Sequence, residues 1–111
     1  MASGEQLLQI ANRISALHSE CFGKGPARAR AYHDDGFLFV VLEGSFIDAE
    51  QTLVEHKRAA DVRSFRESFQ EVLSERVSEV VEEILSVRVL DYMSQVLTQA
   101  QVIVEIFQLA K

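Results

Sequence analysis

The run Gly23-Lys24-Gly25-Pro26 is the place where residue type and spacing could most readily do chemistry. Successive backbone N–H groups of a glycine-rich loop can converge on an anion, and a lysine adds charge there. The run is not a P-loop: no Ser or Thr follows the lysine, and the loop follows a helical pattern rather than a strand. Arg28 and Arg30 share one face of the strand predicted next. Arg63 and Arg66 are three apart on a predicted helix and can share a face there. If these faces meet, Gly23, Lys24, Gly25 and the four arginines form a cationic site for a carboxylate, a phosphate or an acidic segment. The same residues also have a plainer use. The loop stops a helix and turns the chain, and the arginines pair with Glu67, Asp61 and Glu55 on the surface.

Other candidates carry less. His18, His33 and His56 are scattered, and His18 with Cys21 falls short of the ligand count of a metal site, so no metal is expected. Cys21 is the single cysteine, which excludes an internal disulfide; on an apolar helical stripe it reads as buried and inert. Asp34-Asp35 suits a turn and Glu82-Glu83 a solvated helix end, and neither is marked as an acid/base pair. No cofactor motif is present. The formal charge of −6 and the absence of a basic stripe with interleaved aromatics argue against nucleic acid. The residues point to a non-enzymatic protein.

The elements that must position these residues follow from periodicity. Ser3 and Gln6 have capping-box spacing. Leu7, Ile10, Ala11, Ile14, Leu17 and Cys21 then recur at helical spacing, which predicts a helix over about 4–20. Ala27–His33 reads as a strand with Arg28, Arg30 and Tyr32 on one side and alanines on the other. Asp34-Asp35-Gly36 turns the chain into a return strand, Phe37–Glu43, apolar on both faces. Asp48, with Gln51 three residues on, opens a second helix that carries Ala49, Leu53 and Val54 inward. A long helical pattern over 59–85 has Phe65, Phe69, Val72, Leu73, Val77, Val80, Val81 and Ile84 as its apolar stripe, opposite a row of glutamates. Asp61 can cap a fresh start, so the two segments read as one bent helix or two. Val87–Met93 and Gln101–Leu109 are β-branched and predict a second hairpin joined by Ser94–Ala100. The expected fold is α+β: a mainly antiparallel sheet of about four strands in two hairpins, with an N-terminal helix and a long central helix packed on it, in a single domain over 1–111.

No start of the chain resembles a signal peptide, and no apolar run approaches the ~20 residues of a membrane helix. A cytoplasmic protein without a direct membrane span is expected. A mean hydropathy of +0.05 is high for 111 residues, as though apolar surface were covered by a partner or a second copy. The doubly apolar strand Phe37–Leu42 predicts a homodimer, because so short a chain has few helices to cover both sides of a sheet.

One family pattern is similar to this chain over nearly its whole length. Leu17-His18-Ser19-Glu20-Cys21-Phe22-Gly23-Lys24-Gly25-Pro26 resembles the signature of the MpsC-like family of small bacterial domains. The stretch Leu42–Leu53 and the arginine-bearing segment Val62–Phe69 continue the resemblance. Phe46-Ile47 stands where the family usually has a Leu-Thr pair, and Ser86-Val87 where it often has a glycine. The family label refers to a sodium-translocating, membrane-potential-generating system. The resemblance implies a link to membrane ion or inorganic-carbon transport, and it transfers no catalytic residue. The leading expectation is an accessory or regulatory protein-interaction module with a protein partner, which the transport link allows to be membrane-associated. The alternative is a small-ligand or anion sensor at Gly23-Lys24-Gly25 with the nearby arginines.

Overall fold

Ser3 closes the capping box at the head of the first helix in the computed structural model. Its Oγ accepts from the Gln6 N–H at 3.1 Å, and the Gln6 Oε1 accepts from the Ser3 N–H at 2.9 Å. The structure describes residues 2–111; Met1, the first residue of the expected domain, lies outside them. This helix, α1, spans Gly4–Phe22, two residues beyond the predicted end. Gly23 stops it in the left-handed conformation at φ 75°, where its N–H reaches the Ser19 carbonyl. That conformation strains any residue with a Cβ, which is why glycine stands here.

Strands β1 (Arg28–Asp34) and β2 (Phe37–Glu43) form the first hairpin. Asp35 at φ 42° and Gly36 at φ 84° make the two-residue turn, and positive φ at both positions matches the twist of the flanking strands. Two helices follow, α2 (Asp48–Glu55) and α3 (Ala59–Leu85), so the central region is two helices. The break lies at His56-Lys57-Arg58, where Lys57 takes φ 62°. Asp61 sits in the first turn of α3, and Arg58 precedes the helix. Ile47 occupies the cap position of α2 and offers no side-chain acceptor. The Glu50 carboxylate supplies it instead, accepting from the Ile47 N–H at 3.0 Å. The predicted Asp48–Gln51 box is therefore displaced by one residue. Ser86 ends α3 at φ 54°, in the left-handed conformation that glycine adopts without strain.

The second hairpin pairs β3 (Val89–Leu97) with β4 (Val102–Leu109). Residues 94–97, expected in a linker, continue β3 in register with β4 as far as Leu97↔Val102. The turn is confined to 98–101, and Gln101 takes the positive φ, 56°, that a glycine usually signals. The four strands form one antiparallel sheet in the order β1-β2-β4-β3.

The helices pack on one face. Leu38, Val40 and Leu42 of β2, and Ile103 and Phe107 of β4, point toward them and join Ile10, Ile14, Val62, Val77 and Val81 in the core. The buried stripe of α3 is Val62, Arg66, Gln70, Leu73, Val77, Val80 and Val81. It replaces part of the expected stripe: Phe65 is 46% and Val72 75% exposed. Phe65 and Phe69 instead pack with Phe22 in an aromatic cluster, with ring centroids 4.6–6.1 Å apart. On α2 the buried residue is Glu50. Ala49 is exposed and Leu53 is 37% exposed, and only Val54 of the three expected inward residues packs on the core. A carboxylate that caps its own helix is drawn inward over those apolar neighbours.

Candidate functional site

The predicted cationic residues do not converge. Gly23 uses its N–H to end α1, and Gly25 lies against α1, where a Cβ would meet the Ser19 Cβ at 3.3 Å. Lys24 donates from Nζ to the Phe46 carbonyl at 3.0 Å. Arg28 and Arg30 point away from the helices on the far face of the sheet, with Arg28 4.0 Å from Glu43. Arg63 is exposed on α3. Arg66 is fully buried: its Nε donates to the Glu50 carboxylate at 2.6 Å, and its Nη2 donates to the same carboxylate and to the Ser45 carbonyl at 3.1 Å. The guanidinium carbon stands 3.9 Å from the centre of the Phe22 ring. Such a pair is bidentate and largely dehydrated, so it locks α2 onto α3 beneath the 44–47 loop.

His18 is buried beside this pair, without a hydrogen-bond partner on either ring nitrogen. Burial, and then the Arg66 charge, lower its pKa to about 4, so it is neutral at neutral pH. His33 and His56 are spent locally. His33 Nδ1 accepts from the Ala2 N–H at 2.9 Å, and His56 Nδ1 lies 2.8 Å from the Thr52 carbonyl.

A second buried polar group sits one turn along α3, and periodicity reasoning missed it. Tyr92 of β3 places its hydroxyl 2.9 Å from Gln70 Oε1 and 2.6 Å from Glu105 Oε2. Glu105 lies on β4 between Val40 and Ser94, facing the helices, and is fully buried. The hydroxyl donates to Glu105 and keeps a lone pair for a donor, which Gln70 Nε2, buried without another partner, supplies when the amide is turned. Burial pushes the Glu105 carboxyl up to about 7, the Tyr92 hydrogen bond offsetting part of the effect, and burial together with Glu105 pushes the Tyr92 phenol above its usual range. The only sequence signal was a glutamate at an inward position of an apolar strand. Among the described residues no group of three or more His, Cys, Asp or Glu side chains could hold a metal ion.

The largest feature is the sheet face without helices. Cross-strand register sets its outward residues in four rows. The first row is Arg28, Glu43, Val102 and Leu97, and the second is Arg30, Val41, Val104 and Gln95. Tyr32, Phe39, Ile106 and Met93 form the third, and Asp34, Phe37, Gln108 and Asp91 the fourth. Tyr32, Phe37, Met93 and Leu97 are 42–51% exposed. The centre is aliphatic and aromatic, and the charges stand at corners and edges. Contiguous apolar surfaces of this kind serve as protein, membrane or ligand contacts. The sequence of β2 already showed both of its sides apolar; it could not show which side the helices would take.

Comparison with curated proteins and with solved structures finds no match. A family model matches residues 3–111, almost the whole of the sequence, and its description is "Na+-translocating membrane potential-generating system (MpsC)". The helix stop at Gly23, the two hairpins and the arginine-bearing α3 are thus features of a chain that belongs to the MpsC family.

Proposed function

We propose that this chain is a non-enzymatic accessory or regulatory module, which serves a membrane ion- or inorganic-carbon-transport system through protein association on its open sheet face. One observation carries the reading. A four-stranded sheet buries one face under α1 and α3 and leaves the other, with Phe39, Val41, Val104 and Ile106 at its centre, bare. Apolar area removed from water is worth roughly 25 cal/mol per Å², so such a face favours a protein partner over solvent. Among the described residues no helix is long and apolar enough to cross a membrane. The family description supports membership in a multi-component system. In this setting the chain acts from the cytoplasmic side.

The test is isolation of the tagged chain from its native cells after mild cross-linking, beside a Phe39→Asp/Ile106→Asp variant with an unchanged melting temperature. A defined set of proteins held by the wild type and lost by the variant is expected. Identical sets from both chains would overturn the reading.

A further inference from the structure

We infer that the open sheet face takes a second copy of this chain, packed face to face about a two-fold axis that runs across the strands between the second and third rows. The inference rests on the reading of that face as a docking surface and adds its occupant and geometry.

Size is the first argument. Four strands about 4.8 Å apart and seven to nine residues long cover roughly 500 Å² of flat area, and side-chain relief raises the accessible surface further. Two such faces together come to the low end of specific interfaces, which begin at about 1,200 Å². Charge is the second argument. The face carries two arginines and three carboxylates, so most of the chain's net charge of −6 lies elsewhere and does not oppose contact.

The arrangement of those charges selects the axis. Two stacked sheets related by a two-fold in the plane between them have two alignments. With the axis along the strands, β1 lies over the partner's β3 and each row lies over itself. Asp34 then meets Asp91 of the partner subunit, twice, and like charges opposed at an interface are costly. With the axis across the strands, the first row lies over the fourth and the second over the third. Arg28 then meets the partner's Asp34, also twice. Arg30 comes over the partner's Tyr32, a cation on an aromatic ring, and Val41 and Val104 come over the partner's Phe39 and Ile106. Aligned sheets rotate by about 30°, which shifts the corners by a distance the long arginine side chain can span.

Sedimentation velocity on the full chain tests this, with Arg28→Asp, Asp34→Arg, their combination and Ile106→Lys, each checked for an unchanged melting curve. Arg28 and Asp34 are six residues apart on one strand, roughly 20 Å, so they cannot couple within a protomer. The expected result is a wild-type dimer whose Kd rises about tenfold in each charge variant and returns toward wild type in the combination, as a double-mutant cycle reads it. Ile106→Lys is expected to leave a monomer. A dimer that Asp34→Arg tightens has the axis along the strands and overturns the proposed geometry. A dimer that Ile106→Lys abolishes but the charge variants leave alone also overturns the axis while leaving the face as the docking surface. A wild type that stays monomeric at about 100 μM overturns the second copy as occupant. In that case the native-cell isolation above still decides whether the face docks another protein.

Discussion

Arg66 and Gln70 are consecutive turns of one buried helical stripe, and the polar groups around them are settled in different ways. At Arg66 a full positive charge is met by a full negative one, with a carbonyl and an aromatic face around it. At Gln70 the hydroxyl of Tyr92 stands between the Gln70 amide and the buried Glu105 carboxyl. The first arrangement holds the small helix α2 to α3. The second holds α3 to the sheet. A buried carboxyl such as Glu105 ties its stability to the proton.

The largest expected effect breaks the first arrangement. Arg66→Met leaves Glu50 buried and unpaired and should cost about 3–5 kcal/mol, read from denaturant midpoints at constant slope. Adding Glu50→Leu should recover about half of that loss, since an apolar pair can replace a buried ion pair. If the double variant is no more stable than the single one, the carboxylate's role as the helix cap outweighs its role in the pair.

The next prediction sets the two regions against each other through pH. Glu105 has its folded pKa raised from 4.5 to about 7. The native state then holds a proton that the unfolded chain has lost, so this contribution is complete below pH 4.5 and disappears as pH rises to 7. His18 has its pKa lowered from 6.5 to about 4, so its contribution is complete above pH 6.5 and disappears as pH falls to 4. Between about 4.5 and 6.5 the two slopes oppose, and each is about 1.4 kcal/mol per pH unit. Wild-type stability should therefore be nearly flat there with respect to these two groups. Glu105→Gln should make stability rise with pH across that window, and His18→Leu should make it fall. Denaturant titrations at half-unit pH steps measure both, and parallel profiles for all three proteins would refute the assignment.

The smallest effect concerns the glycine loop at the edge of the Arg66 region. Lys24→Ala removes one hydrogen bond to the Phe46 carbonyl and should cost about 1 kcal/mol or less. A thermal-shift series with phosphate and small carboxylates sharpens the point. With Lys24 engaged and Arg66 paired, no anion is expected to raise the melting temperature of the wild type. A shift that Lys24→Ala removes would instead make the loop a ligand site.

By itself the sequence determined the elements. The capping box at Ser3, the glycine at 23 and the Asp35-Gly36 turn are local devices whose physics involves only a few neighbouring residues. They were legible for that reason, as were the two hairpins and the α+β class. Positions without such a device were misread. β3 runs on through Gln95 and Leu97 to a turn that contains no glycine, and Gln101 takes the positive φ there. Only the tertiary structure decided which side of each element faces inward. Phe65 is more apolar than Arg66, but the core reaches only the stripe that Val62, Leu73 and Val77 define, and Arg66 lies on it. An arginine can occupy that place because Glu50, sixteen residues away, is carried there by a different helix. The same holds for the sheet. Both sides of β2 and β4 are apolar in sequence, and burial goes to the side that α1 and α3 can cover, since the connections place both helices together. Among the described residues no further long helix lies across the other side.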